Sequence, residues 1–225
     1  MPQWQQWFRG FATKWFESIA ESLSNVDDDS RAEFEQAFQD ASFPTSEFAG
    51  FGEAWTDLSS PGSVMKRVSA VLDAVDAPSD YDFEYLRTWF SIVMEQTEQL
   101  PPDTKSELLS GCGEACASGV APRFEEIWSQ TGDLEEFAGV LNKELGEGND
   151  LYRYVDENTL EVTYPKCFCP LVGFKLVETP TLCNCSNAWL KSNLQGALLR
   201  TAEVERLESV LSGGNACRFR VNLAD

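Results

Sequence analysis

Two pairs of cysteines stand out in the sequence because a single residue separates the members of each pair. Cys167 and Cys169 form the first pair, and Cys183 and Cys185 form the second. Side chains two residues apart in an extended chain point to the same face, so each pair should direct both thiols the same way. Two such pairs facing each other would offer four thiolates to one point, as a tetrahedral zinc ion or an iron–sulfur cluster requires. The sequence therefore predicts a metal site with these four ligands and leaves both metal centres open.

Three further cysteines lie outside those pairs. Cys112 and Cys116 are four residues apart in a segment with helical periodicity, so they share a helix face and are second candidates for the same site. Alternatively, both are small residues buried where helices pack. Gly111 and Gly113 flank Cys112 at a cost to the helix, which indicates a close approach of backbone or ligand, or a helix end. Cys217 falls in a predicted C-terminal strand and is expected in the core.

A cysteine nucleophile is the alternative use of these thiols. It needs a pKa lowered by a nearby cation, a helix N-terminus or a metal, and Lys166 and Lys175 flank the first pair. The chain contains no histidine, which excludes Ser-His-Asp and Cys-His catalysis within it, as well as histidine-ligated zinc and haem. A partner base would have to be a carboxylate, for which Glu114 and Asp156 are candidates. The sequence does not decide whether the protein is an enzyme.

The composition limits the class of protein and its partners. The 225 residues are 43% hydrophobic and 12% aromatic, which suits one large domain or two small ones with a substantial core. The net charge of -20 would repel phosphate backbones, so no nucleic-acid partner is expected; a cationic protein partner is the alternative to a simply solvated acidic surface. No long apolar run or signal-peptide pattern occurs, so we expect no membrane partner and a cytoplasmic location. There, seven clustered cysteines favour metal or redox chemistry over disulfides.

Hydrophobic periodicity predicts helices over the first two thirds of the chain, followed by a change to alternating patterns after residue 148. A glycine-rich polar stretch marks this change. The sequence predicts an α+β fold, with an N-terminal helical domain (1–148) packed on a small C-terminal domain (149–225) that holds an antiparallel sheet. The elements predicted for the second domain are a hairpin (151–155 and 160–164), a strand near 173–177, a helix capped by Ser186, and two strands (204–211 and 216–223).

The C-terminal third also resembles known families. The run from Glu208 to Val221 contains a Gly213–Gly214 turn and Cys217 two residues before Phe219. It is similar to the end of 4-vinyl reductase-type domains, which implies a pocket between helix and sheet for a small molecule, with cysteines as suspected metal ligands. With the upstream cysteines it also resembles the L-2-amino-thiazoline-4-carboxylic acid hydrolase family, which implies ring opening of a cyclic C–N or C–S substrate. The resemblance covers about residues 150–225, and only Cys217 and the glycine turn are carried over from it.

Three functional hypotheses follow from these patterns. The first is a cysteine-ligated metal protein, with zinc or an iron–sulfur cluster, that binds a small molecule between its helical and α+β parts. The second is a hydrolase or lyase whose reactive centre is a cysteine thiolate or the metal. The third is a metal-free interaction module with an acidic surface. The sequence identifies no substrate and leaves open whether the chain forms a homodimer.

Overall fold

The computed structural model describes residues 13–44, 48–74, 80–146 and 149–224. Its α+β arrangement is the one predicted: helices come first, and an antiparallel sheet follows in the C-terminal part. The helices are α1 (Thr13–Ser24), α2 (Asp28–Asp40), α3 (Ala49–Ala54), α4 (Pro61–Ala74), α5 (Asp80–Gln99), α6 (Pro102–Ala117), α7 (Ala121–Ser129), α8 (Leu134–Leu145), α9 (Pro170–Gly173) and α10 (Cys183–Leu198). The strands are β1 (Tyr152–Asp156), β2 (Thr159–Tyr164), β3 (Thr201–Glu208) and β4 (Cys217–Ala224).

The chain divides into two compact units. The first comprises the described residues of Met1–Cys112 together with Phe174–Leu182, and the second those of Gly113–Gly173 together with Cys183–Asp225. The division therefore falls within α6. The boundary predicted at residue 148 is flanked by α8 and β1, which both belong to the second unit.

An aromatic core holds the first unit together. Trp89 of α5 is fully buried, and its ring centroid lies 4.8 Å from those of Phe16 on α1 and Trp55 after α3. Both ring pairs are tilted or edge-on, the geometry that aromatic quadrupoles prefer. At the start of α2, the Asp27 carboxylate accepts a hydrogen bond from the Ser30 backbone N–H and caps the helix. Burial of large rings thus fixes how these short helices pack.

In the described part of the second unit the strands form one four-stranded antiparallel sheet in the order β1-β2-β4-β3. The predicted hairpin is confirmed: β1 pairs with β2 across a turn in which the Asp156 carboxylate accepts from the Asn158 backbone N–H. Strand β4 lies between β2 and β3 and alternates strictly between buried and exposed residues. Its buried face packs with α7, α8 and α10 into one apolar cluster. The buried residues of β4 and the buried faces of these helices therefore form one core.

Three of the elements predicted for the second domain differ from the structure. The helix predicted to be capped by Ser186 begins at Cys183, because a 3₁₀ turn at Pro180–Leu182 leads directly into it. The strand expected near 173–177 is absent from these described residues, where α9 ends and irregular backbone follows. The strand predicted over 204–211 is β3, which ends at Glu208 before a 3₁₀ turn at Val210–Ser212.

None of the described helices combines the length and the apolar composition that a bilayer crossing requires.

Candidate functional site

The second pair of cysteines lies in the first turn of α10. Successive residues in an α-helix are rotated by about 100°, so side chains two apart point in different directions. The Cys183 thiol lies 3.0 Å from the Ser209 hydroxyl, whereas Cys185 lies close to Cys169. The expectation that this pair directs both thiols the same way, which assumed an extended chain, is therefore wrong. Both thiols are nevertheless buried, at 5% and 8% exposure.

The first pair of cysteines lies in irregular backbone between β2 and α9. Cys167 and Cys169 are both half-buried, while Phe168 between them is exposed. This alternation is the one expected for neighbouring side chains in an extended segment. The loop therefore turns both thiols inward and leaves the aromatic ring outside.

Cys167 lies near several other thiols of the second unit. Burial raises its pKa because the thiolate loses hydration, and the nearby thiols of Cys217 and Cys183 raise it further. The Cys169 backbone N–H acts in the opposite direction by hydrogen-bonding to it. The thiol of Cys217 lies close enough to that of Cys167 to raise its pKa. Residues from the loop, the start of α10 and the start of β4 thus meet around this sulfur.

Cys169 forms a second contact with the α10 pair. Burial raises the pKa of its thiol to about 12, and the proximity of Cys185 and then of Cys167 contributes in the same direction. Two backbone N–H groups, those of Leu171 and Val172, favour its thiolate and oppose this shift only in part. Each loop cysteine therefore lies near one cysteine of α10.

Cys217 lies at the start of β4, where its strand register brings it to the loop. It pairs with Tyr164, the last residue of β2, and the loop that carries Cys167 follows directly. It is 7% exposed and belongs to the core cluster, as expected, but it also contacts Cys167. The alternating pattern of β4 could have placed it in the core; its contact with a loop thiol depends on a strand pairing between distant segments.

A buried tyrosine, Tyr152, and a half-buried one, Tyr164, lie beside this thiol cluster, which comprises Cys167, Cys169, Cys183, Cys185 and Cys217. The hydroxyls of Tyr152 and Tyr164 are 3.4 Å apart. Burial raises the pKa of Tyr152 to about 12 and that of Tyr164 well above its usual value, and Cys217 contributes to the second shift. The cluster thus borders on neutral hydroxyl groups that hydrogen-bond to one another.

The two cysteines of α6 fall in different units. Cys112 belongs to the first unit, is fully buried, and its thiol lies 3.8 Å from the Leu108 carbonyl oxygen. Cys116 belongs to the second unit and is half-buried. Gly113 between them faces the backbone of α10 at Cys185. The sequence predicts a close approach of backbone or ligand, or a helix end, at Gly111 and Gly113. At Gly113 the backbone of α10 comes close to α6.

No group of three or more Cys, His, Asp or Glu side chains in the described ranges is arranged to hold a metal ion as it stands. No disulfide is formed by any of the seven cysteines, all of which fall within those ranges. The divergent directions of Cys183 and Cys185 account for this arrangement, since they divide the thiols of α10 between two loop partners. The five thiols of the cluster are thus gathered but not converged on one point.

None of the charged residues predicted to assist a cysteine nucleophile lowers the pKa of Cys167 or Cys169. Lys166 lies over the Phe168 ring, 5.5 Å from its centroid, and Asp156 serves the hairpin turn. Glu114 is exposed on α6, and Lys175 belongs to the first unit. No cation contributes to the pKa of Cys167 or of Cys169. The described surroundings of these two thiols therefore do not activate them at neutral pH.

Comparisons with other proteins give one family and a few distant structures. A family model described as a family of unknown function (DUF6144) matches residues 79–225. A search of curated protein sequences found no match. Structurally, the chain is similar to a trafficking protein particle complex subunit 3 from Naegleria fowleri covalently bound to palmitic acid, at 14% identity and a TM-score of 0.40, over 65% of this chain and 98% of that one.

It is also similar to an H-NOX domain from Shewanella oneidensis in the Fe(II)CO ligation state, at 16% identity and a TM-score of 0.42. That match covers 77% of this chain and 96% of the other. Similarities at this score establish neither a shared fold nor a shared ligand.

Proposed function

Because the chain belongs to DUF6144, a family of unknown function, we propose its function from the chemistry of the thiol cluster. The second unit binds a soft metal centre, a zinc ion or an iron–sulfur cluster, through cysteine thiolates. Cys167, Cys169, Cys183 and Cys185 are the proposed ligands. Cys217, which contacts Cys167, is a fifth thiol at the same place.

The observation that carries this proposal is the set of contacts around Cys167. Its thiol lies near those of Cys217, Cys183 and Cys169. Packing as a small apolar residue requires only burial and does not require cysteines from a loop, a helix start and a strand start to lie together. Thiolates are the preferred ligands of zinc and of iron–sulfur clusters, and a metal ion displaces the thiol protons as it binds.

The two pairs of cysteines differ in local backbone structure, and this difference suits different roles in binding a metal. The pair on α10 is held by regular hydrogen bonding, whereas the pair on the loop lies in irregular backbone that can adjust without breaking a helix or a strand. Zinc requires the loop thiols to move towards one point. An iron–sulfur cluster, which is larger than a single ion, accepts thiolates that arrive from more divergent directions.

A hydrolase or lyase that uses a cysteine thiolate is not favoured by a specific observation. Burial raises the pKa of Cys167 and Cys169, which leaves little nucleophilic thiolate at neutral pH. A metal centre reverses this effect by stabilising the thiolates directly. We also propose a cytoplasmic location, because thiolate ligands stay reduced there.

The decisive experiment is elemental analysis with a visible absorption spectrum, on protein purified without oxygen and without added metal. We expect stoichiometric zinc without colour, or iron and sulfide with a brown chromophore. The variant Cys167→Ser/Cys169→Ser should bind the metal with at least about tenfold lower affinity. Removing a ligand costs more affinity than removing a group that hydrogen-bonds to a ligand, which already costs about tenfold or more. Its circular dichroism spectrum shows whether the fold survives.

The matched control is Cys116→Ser, which removes a half-buried thiol of the same unit that is not a proposed ligand. This control should keep its metal and its melting temperature. Cys183→Ser should lower metal content and melting temperature together, because binding free energy contributes to folding. Metal-free wild-type protein, or a loop variant with unchanged metal content, would refute the proposal.

A further inference from the structure

The first unit contains an open cavity of about 710 Å³, a size typical of small-molecule sites. It lies between α5 and the segment 175–179, and its described lining residues all belong to this unit. None of the five clustered thiols contributes to it. The cavity therefore shares no residue with the proposed metal site.

The segment runs alongside α5 in the same direction. At one end, the Phe174 ring stacks on Phe83 of α5 with centroids 6.1 Å apart. At the other end, the Thr181 hydroxyl donates a hydrogen bond to the Glu98 carboxylate. The helix rises by about 22 Å between its two anchors, and the segment covers this distance together with the side chains that form the two contacts. The two walls of the cavity are thus paired from end to end.

This pairing separates the charges of the cavity. Arg87 lies nearer the beginning of α5, and Lys175 directly follows the Phe174 anchor, so both cations belong to one end. Glu95 lies two turns further along the helix, and Glu178 lies further along the segment, so both carboxylates belong to the other end. Between them the buried floor is apolar, formed by Phe90, Met94, Leu176 and Val177.

The cationic end is set up by an uncommon backbone conformation. Lys175 has a φ of 56°, in the left-handed region that residues other than glycine seldom adopt. Such outliers cluster at ligand sites, where the surrounding structure holds them. Among the described residues, neither Lys175 nor Arg87 forms an ion pair. Both cations remain available to a ligand carboxylate.

We propose that this cavity binds a zwitterion whose carboxylate and ammonium groups are separated by an apolar middle, such as a short apolar peptide with free termini or an ω-amino acid. Arg87 and Lys175 hold the carboxylate, and Glu95 and Glu178 hold the ammonium group. The helix positions of Arg87 and Glu95 are about 12 Å apart along the axis, close to the length of an extended tripeptide, about 10 Å. A simple anion would meet uncompensated carboxylates at the acidic end.

The test is isothermal titration calorimetry at low salt with trileucine and with two capped forms of it. N-acetylation removes the ammonium charge, and C-terminal amidation removes the carboxylate. We expect trileucine to bind and each capped form to bind at least about tenfold more weakly. The same comparison between 8-aminooctanoate and octanoate distinguishes a requirement for charge separation from a requirement for peptide groups.

Variants assign the two ends. Arg87→Gln should weaken trileucine and the N-acetylated form alike, while Glu95→Gln should weaken trileucine and the amidated form. Lys66→Gln is the matched control, since Lys66 is exposed on α4 of the same unit and does not line the cavity. The absence of binding, equal binding of the capped forms, or an unchanged affinity in Arg87→Gln would each overturn the proposal.

Discussion

Gly113 lies where α6 touches the backbone of α10, next to the thiol cluster. A Cβ atom at this position would overlap the Cys185 carbonyl oxygen and lie 2.7 Å from the Ala188 Cβ and 2.8 Å from the Trp189 backbone nitrogen. These neighbours are main-chain or Cβ atoms, which cannot move aside as the end of a flexible side chain can. The glycine is therefore required by packing, although it is unfavourable for the helix itself.

We predict that Gly113→Ala destabilises the protein. Overpacking against a fixed backbone costs about 1–3 kcal/mol, and the better helix propensity of alanine returns only about 1 kcal/mol. Chemical denaturation measures the net loss in the free energy of unfolding. Because the clash is with the first turn of α10, the same variant should also disturb the reactivity of the Cys185 thiol towards an alkylating reagent.

Gly139→Ala is the matched control for this prediction. Gly139 is also inside a helix, α8, but a Cβ atom there would meet nothing within 4 Å. The substitution should leave stability unchanged or raise it by up to about 1 kcal/mol. Equal effects of the two substitutions would show that propensity, rather than contact with α10, determines the cost at residue 113.

Residue by residue, the sequence identified the cysteines of the cluster better than it predicted their geometry. The single-residue spacing correctly predicted that Cys167 and Cys169 turn to one side, because both precede α9, which begins at Pro170. The same spacing gave the wrong prediction for Cys183 and Cys185, since they lie in a helix. The contact between Cys167 and Cys217 could not be predicted, because it requires the register of β2 against β4.

At the scale of elements, local signals predicted the hairpin and the central strand. Two alternating runs joined by a short polar turn specify β1 and β2, and alternation alone specifies β4. The sequence predicts a strand near 173–177, a range that includes Leu176 and Val177. Instead of forming a strand, this segment packs beside α5, where its buried residues line the cavity. Such a tertiary contact leaves no periodic pattern in the sequence.

Asn142 joins α8 to the sheet by acting as a substitute for a neighbouring strand. Its side-chain amide donates to the Tyr152 carbonyl oxygen and its amide oxygen accepts from the Tyr152 backbone N–H, both at 2.7 Å. Within the described sheet, β1 is an edge strand, so these backbone groups face away from β2. Edges of this kind promote unwanted strand pairing unless they are covered.

We predict that Asn142→Ala destabilises the second unit by about 1–3 kcal/mol, the cost of leaving buried backbone groups without partners. Hydrogen exchange at the Tyr152 amide should accelerate more than exchange in β4. Asn142→Asp, which keeps the acceptor and loses the donor, should be affected less in this exchange. Lys143→Ala is the control, because Lys143 is exposed and should change stability by no more than about 0.5 kcal/mol. Unchanged Tyr152 exchange in Asn142→Ala would contradict the assigned role.

At the scale of the whole molecule, negative charge is the dominant feature. The chain has 37 acidic residues against 17 basic ones, for a net charge of -20. The ion pairs of the described residues are largely on the surface, as with Arg123 and Glu144 or Arg153 and Glu161. Exposed pairs of this kind contribute about 0–1 kcal/mol each. The excess carboxylates repel one another, and this repulsion disfavours the compact state.

We therefore predict that potassium chloride raises the melting temperature of the protein at neutral pH. Raising the ionic strength from about 0.01 M to about 0.15 M shortens the screening length from about 30 Å to about 8 Å, which removes long-range repulsion before it removes contacts between paired charges. Thermal denaturation across this range measures the effect. The control is the same series near the isoelectric point of about 4.3, where the net charge vanishes and salt should have little effect or lower stability. A melting temperature that falls with salt at neutral pH would mean that the surface ion pairs, rather than the net charge, govern its electrostatic stability.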